Sequence, residues 1–101
     1  MVNQRIIETA RQYLQLIPKD LGVKKAYLFG SFAQGKEREE SDIDIALVLA
    51  NMPDFFATQR LLMKLRRQID LRIEPHPIQE QDFNAANPFA SEIRSTGIEI
   101  G

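Results

Sequence analysis

The stretch "LFGSFAQGKEREESDIDIALVLA", residues 28–50, contains the features that decide the fold. A Gly-Ser pair ends a short apolar run, and after a polar loop Asp42 and Asp44 open an almost entirely apolar segment. On a strand these two residues point to the same face, with Cα atoms roughly 6.5 Å apart, while Ile43 and its alternate neighbours point to the opposite face. Two carboxylates so close would repel each other at low dielectric, so the pattern needs a chemical reason.

A bound divalent cation would remove that repulsion, and oxygen-only ligands on a strand suit Mg²⁺ or Mn²⁺ better than Zn²⁺. Gly30 and Ser31 complement the pair, because a Gly at a strand end lets a backbone N–H approach a phosphate and a Ser adds a hydroxyl donor. Gly35 gives the following loop a second flexible point. These residues together predict a site for a metal-bound nucleoside triphosphate.

A third carboxylate is expected from "IDLRIEP", residues 69–75, which alternates strictly between apolar and charged positions. Asp70 would begin this strand and meet the Asp pair across the sheet, where three carboxylates permit two-metal chemistry. Asp70 would also be the general base for an acceptor hydroxyl. Glu74 lies on the same predicted strand face and is the alternative. His76, between two prolines, is expected to be a turn residue rather than a ligand.

Helical and extended patterns alternate along the chain and predict an α/β or α+β fold with helices packed on a small mixed sheet. Apolar spacing and caps support the helices, and short β-branched runs support the strands. The predicted elements are a helix within residues 3–20, a strand at 24–30, a loop at 31–41, a strand at 42–50, a helix at 55–68, a strand at 69–75 ended by Pro75 and Pro77, a helix capped by Asn87, and a short strand after Gly97.

Composition restricts the class of protein. A chain of 101 residues predicts a single domain, residues 1–101, and 44% apolar with 27% charged residues is ordinary for a soluble protein. A formal charge of −1 argues against extended nucleic-acid binding. The absence of Cys excludes disulfides and thiolate metal sites. No signal-like or membrane-spanning run occurs, so a cytoplasmic protein is expected.

The segment "FGSFAQGKEREESDIDIAL" resembles the signature of the nucleotidyltransferase superfamily that includes DNA polymerase β. The compact length resembles its minimal nucleotidyltransferases (MNT), the antitoxins of prokaryotic pairs with HEPN-domain toxins. The resemblance runs over nearly the whole chain, because "IDLRIEP" and the terminal "GIEI" also fit. It implies a polymerase β palm-like core in which Gly30 and Ser31 bind nucleotide phosphates and Asp42, Asp44 and Asp70 hold Mg²⁺ or Mn²⁺.

One position departs from many relatives, which have a basic residue where this chain has Gln34. Lys36 or Arg38 could supply that charge, and Lys36 is the predicted phosphate contact. A denser basic cluster on the second long helix is interpreted as a solvated face, with a docking surface for an acidic partner as the alternative. That cluster comprises Arg60, Lys64, Arg66 and Arg67, and the aromatic residues Phe55, Phe56, Phe83 and Phe89 are expected in the core.

Three functions remain after these observations. The resemblance implies an enzyme that transfers AMP from ATP to a hydroxyl of a partner protein, such as a tyrosine of a HEPN toxin, in a possible hetero-oligomer. The alternative is an antitoxin that neutralises its toxin by binding alone, with a vestigial or regulatory nucleotide site. Transfer to a small molecule is a minor possibility, because the short chain has no additional elements to build an acceptor pocket.

Overall fold

The computed structural model describes residues 3–38 and 40–101. Met1 and Val2, which belong to the expected 1–101 domain, and Glu39 of the expected loop lie outside the described residues. The elements in chain order are α1 (Gln4–Leu16), β1 (Val23–Phe29), α2 (Ser31–Gln34), β2 (Ile43–Leu49), α3 (Phe55–Leu65), β3 (Ile73–Gln79), α4 (Pro88–Thr96) and β4 (Ile98–Glu99), with 3₁₀ turns at Lys19–Leu21, Arg66–Gln68 and Glu80–Asp82.

Within the described residues four strands form one sheet in the order β3-β2-β1-β4. Strand β1 is antiparallel to β2 and to β4, whereas β2 and β3 run parallel with α3 as their crossover. A parallel pair needs such a long connection, which explains why α3 stands between them. The prediction of a small mixed sheet flanked by helices is confirmed.

Strand β2 is buried on both faces along most of its length, as its apolar continuity predicts. One face carries Ile43, Ile45, Leu47 and Leu49 and packs with α1 and with Leu62 of α3. The other face carries Ala46 and Val48, which pack with Tyr27, Phe83 and the α4 residues Ala90 and Ile93. Asp44 stands next to Ala46 on this second face, towards the N-terminal end of β2.

The predicted strand at 69–75 is wrong at both ends. Residues 69–72 form a turn, in which Leu71 is 68% exposed, and the strand runs from Ile73 to Gln79 through Pro75 and Pro77. The two prolines are tolerated because of the hydrogen-bond pattern between β2 and β3. The Ile43 N–H donates to the Arg72 carbonyl, and in this register the backbone N–H groups of residues 74, 76 and 78 point towards β2. Residues 75 and 77 therefore face the free edge, where no ladder N–H is needed.

Side chains of the α3 region cover the carbonyl groups on that free edge. Arg66 Nη1 donates to the Ile73 carbonyl at 2.9 Å, and Gln59 Nε2 donates to the Pro75 carbonyl at 3.2 Å. With two N–H groups removed by proline and two carbonyls bonded, the edge offers little to another strand.

Local signals set the remaining boundaries. Asn87 caps α4 by accepting from Phe89 and Ala90 N–H, with Pro88 at the first helical position, as predicted. The loop expected at 31–41 is partly wrong, because residues 31–34 form the single helical turn α2. None of the described helices is long and apolar enough to cross a membrane.

Tyr13 joins the two helices on the first face of the sheet. Its ring is fully buried, and its hydroxyl donates to the Leu62 carbonyl at 2.7 Å. Burial raises the pKa of Tyr13, and the positive charge of Arg66 lowers it by a smaller amount. The neutral phenol is therefore the form that stabilises the fold.

Replacement of Tyr13 by Phe is expected to lower the free energy of unfolding by about 1 kcal/mol at neutral pH, because the buried hydroxyl is lost. Since the folded pKa is raised, the stabilisation is present below the unfolded pKa of 10.0 and lost as pH rises above it. Denaturant unfolding of both proteins at pH 7 and pH 11 measures this. The wild-type advantage should shrink at pH 11, and a constant difference would contradict the assignment.

Candidate active site

A turn around Gly30 connects the end of β1 to α2. Gly30 has φ 74° and ψ −149°, a conformation that side-chain-bearing residues rarely adopt. The N–H groups of Gln34 and Lys36 return to the carbonyls of Gly30 and Ser31, at 3.2 and 2.9 Å. The N–H groups of residues 31–33 have no partner within so short a helix. Together with the Ser31 hydroxyl they are donors suited to phosphate oxygens.

The carboxylate of Asp44 lies directly against Gly30. Phe29 is paired with Asp44 across the antiparallel strands, and a Cβ added to Gly30 would lie 2.5 Å from Asp44 Oδ2. Asp42 immediately precedes β2, and continued strand alternation would put its side chain on the side of Asp44, opposite to buried Ile43. Asp42 is exposed and Asp44 is 25% exposed, so both carboxylates are open to solvent. The Gly30 turn and Asp44, which belong to the two features singled out in the sequence, are therefore in contact.

Strand β3 brings Glu74 and His76 to this site. Asp44 is paired with Glu74 in the parallel ladder, so their side chains share a face. His76, two residues further along, places Nε2 3.1 Å from Asp44 Oδ1. Glu74 Oε2 lies 3.7 Å from Arg66 Nη1. Strand register therefore puts Glu74, the alternative third carboxylate, on the same sheet face as Asp44.

Asp70 is placed differently from its prediction. It lies in the turn before β3, where Oδ1 accepts from the Arg72 backbone N–H at 2.8 Å and from Arg72 Nε at 3.1 Å, and Oδ2 accepts from Nη2 at 2.8 Å. These side-chain hydrogen bonds are the main cause that lowers the pKa of Asp70. The expectation that Asp70 begins a strand facing the Asp pair is wrong, because the strand starts three residues later.

The donor set fits a hard divalent cation. Among residues 3–38 and 40–101 no three His, Asp or Glu side chains are already gathered as a metal site. Mg²⁺ does not require one, since it is commonly held by one or two carboxylates with waters and substrate phosphates. Asp42 and Asp44 would supply those carboxylates, and the close contact at Gly30 holds the Asp44 oxygens beside the turn at Gly30 and Ser31.

The loop after α2 presents its polar side chains to solvent. Gln34, Lys36 and Arg38 are all exposed, and Gly35, with φ 70°, ends the helical turn. The predicted contact of Lys36 with phosphate stays a prediction. The Arg38 backbone N–H donates to Ser41 Oγ at 2.7 Å, which shapes the return towards β2.

The expectation that His76 is a turn residue is wrong, because His76 lies within β3 and contacts Asp44. The two flanking prolines indicated a turn. The alternate positions of Glu74, His76 and Ile78 nevertheless indicated that all three would share one face if the segment formed a strand. The aromatic prediction is also partly wrong, because Phe55 and Phe56 are 47% and 72% exposed. Phe56 and the basic cluster line a groove of about 530 Å³ along α3.

Replacement of Gly30 by Ala is expected to displace Asp44 and to weaken binding of Mg²⁺–ATP by at least about tenfold. Gly22→Ala is the matched control, since Gly22 has φ 63° and an added Cβ there would lie 2.9 Å from Ala50 Cβ, beyond the other end of β1. Both variants should lose about 1–3 kcal/mol of stability through backbone strain. Calorimetric titration with Mg²⁺ and α,β-methylene ATP measures nucleotide binding. An equal loss of binding affinity in both variants would contradict a local role for Gly30.

This chain is similar to known proteins over most of its length. The family described as Polymerase beta, Nucleotidyltransferase matches residues 6–101. A protein of Methanocaldococcus jannaschii named as a candidate protein adenylyltransferase is 29% identical over 98 residues, which are 94% of this chain and 95% of that protein. The protein adenylyltransferase MntA of Shewanella oneidensis is 40% identical over 58 residues, 57% of this chain and 40% of its own length.

A solved structure is also similar. A crystal structure described as a toxin–antitoxin with AMP-PNP contains a chain that is 27% identical, with a TM-score of 0.69, and the likeness covers 94% of this chain and 72% of that chain. The family match spans nearly the whole chain and includes both the Gly30 turn and the Asp pair. The chain belongs to the polymerase β-like nucleotidyltransferase family.

Proposed function

We propose that this nucleotidyltransferase moves AMP from ATP to a hydroxyl group of a partner protein and thereby acts as an antitoxin. The observation that carries the proposal is the contact between Gly30 and the Asp44 carboxylate, which puts the turn proposed to bind phosphate beside a carboxylate proposed to bind the cation. The relatives support the chemistry, because two of them are named as protein adenylyltransferases. The toxin–antitoxin neighbour with an ATP analogue supports the biological role.

Each site residue has a defined task in the proposed reaction. The N–H groups at residues 31–33 and the Ser31 hydroxyl bind the triphosphate, and Lys36 approaches it from the following loop. Asp42 and Asp44 hold Mg²⁺ or Mn²⁺, which when bound would neutralise phosphate charge. Glu74 takes the role first assigned to Asp70, since its register with Asp44 puts a carboxylate on the reacting face.

The bond changes are those of an in-line displacement. The acceptor oxygen forms a bond to the α-phosphorus, and the bond from that phosphorus to the oxygen bridging to the β-phosphate breaks. Pyrophosphate leaves, and the hydroxyl proton passes to Glu74, the proposed general base. Positioning and charge stabilisation by the residues above account for most of the catalysis in phosphoryl-group chemistry of this kind.

The acceptor is proposed to come from a second protein. Asp42 is exposed and the side chain of Glu74 is 39% exposed, so another molecule can reach the reacting face. By family resemblance the partner is a HEPN-domain toxin and the acceptor one of its tyrosines. Because ATP is supplied in the cytoplasm, the proposed reaction belongs there.

The test is an incubation of the purified chain with α-³²P-labelled ATP, Mg²⁺ and the product of the neighbouring gene. Label is expected on the partner with wild type and not with Asp44→Asn, because the substitution removes one carboxylate charge at the cation. If wild type labels no partner, the transfer proposal fails. If Asp44→Asn neutralises the partner as fully as wild type, neutralisation occurs by covering rather than by transfer.

A comparison of Glu74→Gln with Asp70→Asn separates the two candidates for the third carboxylate. Glu74→Gln is expected to lower the transfer rate by about 10²–10⁴-fold, the usual contribution of a general base. Asp70→Asn should change the rate little, since Asp70 is bonded to Arg72. The reverse order of effects would restore the original assignment to Asp70.

A further inference from the structure

His76 contacts the cation-binding pair from a neighbouring strand. Its Nε2 lies 3.1 Å from Asp44 Oδ1, across the parallel ladder between β2 and β3. The ring is 36% exposed, so its position is not explained by a need to bury it. The contact of His76 with the Asp44 carboxylate therefore calls for another explanation.

Two aromatic rings fix the imidazole in that orientation. The Phe29 ring centroid is 4.9 Å from that of His76 with the planes at 65°, and the Phe89 centroid is 6.2 Å away at 40°. Phe29 ends β1, and Phe89 lies in the first turn of α4, where Asn87 accepts its N–H at 2.9 Å. The ring is therefore positioned by elements from both sides, which reduces the conformational entropy lost when it bonds to Asp44.

The two oxygens of Asp44 have different neighbours. Oδ1 bonds to His76, and Oδ2 faces the backbone of Gly30. A carboxylate oxygen has two lone pairs, so the bond from His76 leaves Oδ1 able to bind a cation and leaves Oδ2 free to do so. Both contacts together fix the rotation of the carboxylate about its Cβ–Cγ bond.

We propose that His76 is a positioning residue, which donates a hydrogen bond from Nε2 to Asp44 and orients that carboxylate for the divalent cation of the nucleotide. The inference rests on the metal–nucleotide site of the proposed function and adds the residue that organises it. Hydrogen-bond partners of ligating side chains typically account for 10–100-fold in metal affinity.

Two substitutions separate hydrogen bonding from packing. His76→Leu fills the space between Phe29 and Phe89 without a donor, whereas His76→Gln keeps an N–H donor at similar reach. Ile78→Leu, one alternate position further along β3 and away from Asp44, is the control for a change of shape on the same strand face. Thermal unfolding of all three variants tests whether the fold is retained.

The experiment measures Mn²⁺ binding by electron paramagnetic resonance with α,β-methylene ATP, in which the bond broken by AMP transfer is blocked. No partner protein is needed. His76→Leu is expected to weaken Mn²⁺ binding by about 10–100-fold, with His76→Gln and Ile78→Leu close to wild type. Nucleotide binding without the metal should be the same in all four proteins.

Two results would overturn the inference while leaving the proposed function intact: wild-type Mn²⁺ affinity in His76→Leu, or a loss in His76→Gln equal to that in His76→Leu. Absence of Mn²⁺ binding by the wild type would instead overturn the metal site itself, and with it both proposals. A selective loss in His76→Leu, restored in His76→Gln, supports the positioning role.

Discussion

The close approach of the Gly30 backbone to the Asp44 carboxylate is the constraint on which the site depends. It requires a residue without Cβ at the end of β1, with positive φ, and it requires β1 and β2 to be paired in one register. Because Phe29 and Asp44 are partners in that ladder, the turn and the carboxylate cannot move independently. The turn and the Asp44 carboxylate, to which we assign phosphate and cation binding, are therefore held together by the pairing of β1 with β2.

Strand β3 pairs with β2 along one edge, and its other edge is closed to further strand pairing. Pro75 and Pro77 remove edge donors, while Gln59 and Arg66 bond to edge carbonyls, so little is left for competing pairings. This arrangement brings Glu74 and His76 alongside Asp44. The residues that close the free edge to further strand pairing therefore also help to hold Glu74 and His76 on the sheet face beside Asp44.

Much of the fold followed from sequence because its signals are local. The apolar run of β2, the Asn87 cap and the helical spacing of α1 each act within a few residues. The placement of Asp70 and His76 could not be read in this way. Strict alternation at 69–75 suggested a strand, but the local Asp70–Arg72 ion pair closes a turn there, and tolerance of two prolines depended on which strand would lie beside β3. The residue pattern of one strand does not say which other strand will lie beside it.

We infer that Asp42 and Asp44 hold a cation beside the Gly30–Ser31 turn, with Glu74 on the same face. Anomalous diffraction from crystals grown with Mn²⁺ and α,β-methylene ATP tests it most directly. A Mn²⁺ peak is expected at about 2.1 Å from oxygens of both Asp42 and Asp44, with the triphosphate against the turn. A peak coordinated by Asp70, or a triphosphate bound away from Gly30, would contradict it.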